Sequence, residues 1–118
     1  RGAVDSYGRD IPNFHYETVM QVAEGYAKSD LANPAIIIDA NHSNSGKKFK
    51  QQIRICEEVM QNRIYDKDFK NIVKGFMIES FIAEGNQPED KVYGKSITDP
   101  CLGWEDTEKL IYDIAEKV

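Results

Sequence analysis

Three residues of this 118-residue sequence have the chemistry to hold a divalent metal ion: His42, Glu79 and Asp99. One imidazole and two carboxylates make a donor set suited to a borderline ion such as Mn²⁺, Fe²⁺, Co²⁺ or Zn²⁺. They also share a kind of position. His42 lies three residues past the apolar run 35–39, Glu79 ends a second such run, 72–79, and Asp99 closes the polar segment that follows. Taken singly, two of them have ordinary explanations. A histidine in a loop can be a plain polar residue, and Asp99 before Pro100 has the N-cap and N1 pattern of a helix start. Glu79 is harder to leave alone, because a carboxylate ending a buried apolar strand is costly to desolvate unless a cation or donor meets it.

The elements that must position these residues can be read from the periodicity. Residues 1–13 hold Gly, Pro, Asp and Asn with little period and read as a loop. Residues 14–28 place Tyr16, Val19, Met20, Val22, Ala23 and Tyr26 at helical spacing. The run 35–39 is continuous and β-branched, as in a strand buried on both faces of a parallel sheet. A polar loop, 40–46, precedes a helix over 47–63, whose apolar stripe is Phe49, Ile53, Cys56 and Met60. The charges off that stripe read as a solvated face. The second strand, 72–79, leads into a segment, 80–98, without a clear period. Segments of that length in a compact domain are often functional. Thr107, Leu110, Ile111, Ile114, Ala115 and Val118 mark a terminal amphipathic helix. The alternation is the βαβ pattern of an α/β fold, in which ligands bind at the carboxyl ends of the strands. Two strands cannot bury both faces of a sheet, so further strands are expected beyond this sequence or within it.

Composition narrows the function classes. Hydrophobic residues make up 41% and charged residues 30%, the balance of a soluble globular domain. A net charge of -5 argues against nucleic acid as the main partner, since such binders carry basic patches. No apolar run is long enough for a membrane span, and no signal peptide is evident. Cys56 and Cys101 do not form a CxxC pair and imply no disulfide framework, so a reducing cytoplasm is the expected location.

Three motifs resemble those of one enzyme family. The run Asp39-Ala40-Asn41-His42-Ser43-Asn44-Ser45-Gly46-Lys47 is similar to the metal-histidine loop of class I (α-type) 3-deoxy-D-arabino-heptulosonate-7-phosphate (DAHP) synthases. Met77-Ile78-Glu79-Ser80, with Glu84-Gly85-Asn86-Gln87 beyond it, resembles their glutamate strand and loop. The stretch from Tyr93 through Lys95, Asp99 and Trp104 to Thr107 is similar to their C-terminal signature almost throughout. The likeness runs over the whole sequence and weakens between Gly2 and Pro34, where the length differs.

The resemblance implies a fold and a reaction. The family is a (β/α)8 barrel, which needs about 250 residues. Residues 1–118, which begin at Arg1 rather than Met, are therefore expected to be a C-terminal fragment of one barrel domain: its last two strands and their helices. The family condenses phosphoenolpyruvate with erythrose 4-phosphate to DAHP and phosphate, the first step of the shikimate pathway. By resemblance His42, Glu79 and Asp99 are metal ligands, and the fourth ligand is a cysteine expected upstream of Arg1. Asp99 also contacts a sugar hydroxyl, and Arg1 grips the phosphate of phosphoenolpyruvate, a contact suited to a bidentate guanidinium. The general acid/base lysine is expected outside the chain, which alone should be inactive, and a homo-oligomer is expected. Cys56 reads as core, Cys101 as a neighbour of the site, Trp104 as a packing anchor, and Lys95 and Asn86 as exposed loop residues. Two alternatives stand beside this reading: a 3-deoxy-octulosonate 8-phosphate synthase, and a non-catalytic barrel remnant serving in subunit contact.

Overall fold

A parallel pair of short strands organises the chain. In the computed structural model, which describes residues 1–118, β3 (Ile36–Asp39) runs parallel to β4 (Val73–Met77). Ile36 pairs with Val73, Ile37 with Gly75, Ile38 with Phe76 and Asp39 with Met77, with an irregularity between Ile36 and Ile37. β-branched side chains favour such a pleated surface. The crossover between the strands contains α2 (His42–Ser45), α3 (Gln51–Tyr65) and α4 (Lys67–Ile72). Ahead of it lie the hairpin β1 (Ala3–Val4) with β2 (Asp10–Ile11) and the helix α1 (Tyr16–Ala27); α5 (Trp104–Lys117) follows.

The core lies on one face of the sheet. Ile38 and Val73 point into it and meet Phe14, Val19, Ile55, Cys56, Val59, Phe69, Leu102 and Leu110 from the helices and loops. The opposite face is open: Ile37 is 55% and Met77 54% exposed. The expectation of a strand buried on both faces is therefore corrected. With only two parallel strands, the helices of this chain cover one side. Cys56 is fully buried, as its place on the α3 stripe implies, and burial pushes its thiol up to about 12. No helix is long and apolar enough to cross a membrane.

Several boundaries differ from the periodicity. Residues 1–13 hold the antiparallel hairpin rather than only a loop. α3 begins at Gln51, not Lys47, because Gly46 and Lys47 take left-handed φ values of 60° and 61° and close α2 first. β4 ends at Met77, two residues before Glu79, and Ile72 belongs to α4. α5 begins at Trp104 with Gly103 as its N-cap. The Asp99-Pro100 pair therefore does not start a helix; Cys101 and Leu102 form bridges to Gly85 and Ser80 instead. Trp104 is 55% exposed, so it is not the packing anchor; Leu102 and Leu110 fill the core there.

α4 owes its start to Asp66, whose carboxylate accepts from the backbone N–H groups of Asp68 and Phe69 at 2.7 and 3.0 Å. The same carboxylate accepts from the Tyr16 hydroxyl at 2.6 Å. Tyr16 stacks on Phe69 and meets Tyr65 edge-on, so one aromatic residue ties α1 to α3 and α4. The hydrogen bond to Asp66, then burial, pushes the Tyr16 hydroxyl up to about 12 from its ordinary value of 10.0. A raised value favours the protonated form in the folded state, so this contribution to stability is complete below pH 10.0 and fades as pH rises through about 12. The urea midpoint of the wild-type chain is expected to exceed that of Tyr16→Phe at neutral pH and to converge on it across that interval. A gap independent of pH would refute the link.

Candidate metal centre

His42 sits in a loop built from buried polar groups. After β3 the chain turns at Asn41 and enters α2 with His42 at φ 51°, a left-handed conformation that is costly outside glycine. The surroundings hold it there. Asn44 Nδ2 donates to the Asp39 carbonyl at 2.8 Å, Ser45 Oγ to Asn41 Oδ1 at 2.7 Å, and the Asn41 N–H to Asp39 Oδ1 at 2.9 Å. The other Asp39 oxygen lies 2.8 Å from His42 Nδ1. His42 Nε2 therefore faces the opposite way, toward Glu79.

Glu79 lies just beyond β4, and a side chain from α3 fixes its backbone. Gln52 is 0% exposed. Its Oε1 accepts from the Glu79 N–H at 2.8 Å and its Nε2 donates to the Glu79 carbonyl at 3.1 Å. The amide thus bonds the main chain as a neighbouring strand would. The Leu102 N–H adds a second bond to that carbonyl at 3.0 Å. So held, Glu79 Oε1 lies 3.0 Å from His42 Nε2.

Asp99 arrives on the long loop, which has its own internal frame. Gln87, buried, donates to the carbonyls of Val92 and Lys95 and accepts from the N–H groups of Lys91 and Val92. Asn86 Nδ2 donates to the Thr98 carbonyl at 2.9 Å, so this exposed residue also braces the loop. Gly94, at φ 76°, passes so close to Ile82 that an added Cβ would lie 2.9 Å from that side chain. The Cys101 thiol donates to the Asp99 carbonyl at 3.4 Å, and burial raises its pKa. Asp99 Oδ2 is 3.8 Å from His42 Nε2. One ligand atom from each of His42, Glu79 and Asp99 thus falls within 4.8 Å of the others. The imidazole and the two carboxylates converge from three separate segments, the start of α2 and two loops, a donor set suited to a divalent ion of intermediate softness.

Arg1 reaches the same loop by its backbone. Its carbonyl accepts from the Asn44 N–H at 3.1 Å, and Asn13 N–H donates to Asn44 Oδ1 at 2.7 Å. Gly2 packs between these contacts at φ 79°, where an added Cβ would meet the Ile11 carbonyl at 2.8 Å and Ser43 at 2.9 Å. The Arg1 side chain itself is exposed. Motif and spacing single out His42, Glu79 and Asp99 but pass over Asp39 and Gln52, which hold two of them. Asp39 had a signal, a carboxylate ending an apolar strand; Gln52 had only its place on the inner side of α3.

Comparison with known proteins places this architecture. The sequence model described as the DAHP synthetase I family matches residues 4–111. The chain is 44% identical over 116 residues to the Phe-sensitive phospho-2-dehydro-3-deoxyheptonate aldolase of Escherichia coli, covering 94% of this chain and 32% of that protein. A Trp-sensitive relative from Enterobacter agglomerans is 40% identical over 121 residues, covering 99% and 34%. Among solved structures, the phospho-2-dehydro-3-deoxyheptonate aldolase of Francisella tularensis superposes with a TM-score of 0.80 at 34% identity, covering 91% of this chain and 31% of that one. The chain belongs to the class I DAHP synthase family. It spans about a third of the length of the curated relatives it matches.

The Gln52 clamp yields a test. Gln52→Leu keeps the bulk but leaves the Glu79 N–H without its partner, at a cost of about 1–3 kcal/mol. Urea unfolding of the chain should register that loss, and an unchanged midpoint would show that position 79 does not depend on the clamp.

Proposed function

We propose that residues 1–118 are the C-terminal part of a metal-dependent DAHP synthase, a single (β/α)8 barrel whose last two strands are β3 and β4. The observation that carries the proposal is the convergence of His42, Glu79 and Asp99 within 4.8 Å at the carboxyl ends of those parallel strands, where barrel enzymes keep their active sites. Family membership and the printed activity of the relatives support the same reading.

In this reading the three residues hold a divalent ion, Mn²⁺, Fe²⁺, Co²⁺ or Zn²⁺, with a cysteine from upstream as fourth ligand. When bound, the ion supplies Lewis-acid polarisation of the erythrose 4-phosphate aldehyde. Carbon 3 of phosphoenolpyruvate attacks that aldehyde, water adds at carbon 2, and phosphate leaves by C–O cleavage. Arg1 binds the phosphate of phosphoenolpyruvate through its guanidinium. Asp99, the most exposed of the three ligands, accepts from a sugar hydroxyl. A lysine outside these residues moves the proton. The setting is cytoplasmic and the working enzyme a homo-oligomer.

The metal reading is tested by equilibrium dialysis of the full chain against Mn²⁺. One ion per chain is expected, with affinity reduced at least about tenfold, or 1.4 kcal/mol, in both His42→Ala and Glu79→Gln. Undiminished binding in both variants would refute the site. The reaction is tested separately. The 118-residue chain should form no DAHP from phosphoenolpyruvate and erythrose 4-phosphate, because it lacks the upstream ligand and lysine. A protein that joins these residues to the upstream two thirds should turn over erythrose 4-phosphate in preference to arabinose 5-phosphate. Turnover of the five-carbon sugar alone would move the assignment to the octulosonate branch.

A further inference from the structure

The hydrogen bond between Asp39 and His42 decides which imidazole nitrogen can serve as a ligand. A neutral imidazole carries one N–H, and only the other nitrogen has a lone pair to give. Asp39 is 5% exposed and ends β3, so its position is set by the sheet. One carboxylate oxygen accepts from the Asn41 N–H, and the other lies 2.8 Å from His42 Nδ1. A carboxylate is an acceptor only, and Glu79 Oε1, 3.0 Å from Nε2, competes for the same hydrogen. Asp39 is the closer partner at 2.8 Å and the more buried, its side chain 7% exposed against 21%, so the hydrogen of the neutral ring stays on Nδ1. On the far side of the ring, Nε2 meets Glu79 Oε1 at 3.0 Å and Asp99 Oδ2 at 3.8 Å. A lone pair facing two carboxylates at that range is favourable when a cation lies between them.

We propose that Asp39 is a positioning residue that fixes neutral His42 in its Nδ1–H tautomer and aims the Nε2 lone pair into the gap bounded by Glu79 and Asp99. Its consequence for metal affinity rests on the metal-centre reading above; the tautomer does not. The left-handed backbone at His42 belongs to the same device, since it returns the ring toward the strand end it has just left. A plain loop histidine would need neither the strained backbone nor a buried carboxylate.

The chain has only two histidines, His15 and His42, so a long-range ¹H–¹⁵N spectrum of the labelled full chain resolves both. His15 pairs with Glu58 on the surface and serves as internal reference. Measured at a pH where the spectrum itself shows a neutral ring, His42 is expected in the Nδ1–H form. In Asp39→Asn the amide can donate to Nδ1, and the signal should move to the Nε2–H form while His15 stays unchanged. Asp39→Glu, which keeps an acceptor, should retain Nδ1–H. Zn²⁺ affinity should fall about 10–100-fold in Asp39→Asn. An Nε2–H signal in the wild type overturns the proposal whether or not the variants fold, and so does an unmoved tautomer in Asp39→Asn. If the tautomer moves as expected but the wild-type chain takes up no Zn²⁺, the positioning role stands and the metal-centre reading falls.

Discussion

The parallel pairing of β3 with β4 is the constraint on which the site depends. Because Asp39 lies opposite Met77 in the register, both strands run out at the same level and on the same side. The chain then has two exits a strand spacing apart, and the residues just past them, His42 and Glu79, are neighbours although far apart in sequence. An antiparallel pair would put one exit at each end and separate them by the length of the sheet. The crossover through α3 is what permits the parallel arrangement, and the same helix supplies Gln52. Fold and site therefore share an element.

Short strands alone would leave their exits loose. Here each exit is fixed by a buried side-chain amide acting on backbone. Asn44 bonds the end of β3 and the N-terminal segment near Asn13; Gln52 bonds Glu79; Gln87 gathers the turns of the long loop that delivers Asp99. Buried polar networks are costly when incomplete and rigid when complete, and no buried side-chain nitrogen or oxygen in this chain lacks a partner. Rigidity of this kind keeps His42, Glu79 and Asp99 within a few ångströms of one another.

Much of this could be read from residue order. The Ile36-Ile37-Ile38 run marks β3, the apolar period marks α1, α3 and α5, and the motifs around His42, Glu79 and Asp99 mark the three residues that converge. What escaped reading was set by less regular signals. The hairpin formed by β1 and β2 is too short to show a period. α4 depends on one cap, Asp66, rather than on a stripe. Asp99-Pro100 resembles a helix start, but the bridges of Cys101 and Leu102 delay α5 to Trp104. The two-sided burial implied by the isoleucine run was wrong for Ile37, because burial is a property of everything packed on a strand and not of the strand itself. Asp39 and Gln52 escaped because what they do depends on distances between segments that periodicity does not contain.

The manner in which Gln52 grips Glu79 has an implication for altering the centre. The clamp touches only the N–H and carbonyl of position 79 and is blind to the side chain that the position carries. Scaffold and donor are thus separable at this corner. In the proposed metal centre, a softer or harder ligand, cysteine or aspartate for instance, could be exchanged there with the backbone still held, and would shift ion preference along the scale from thiolate to carboxylate metals. Position 42 offers no such freedom, since there the side chain itself, through Nδ1, is part of the frame. One corner of the triad is open to redesign and another is locked, and the difference lies in whether the supporting bond is made to main chain or to side chain.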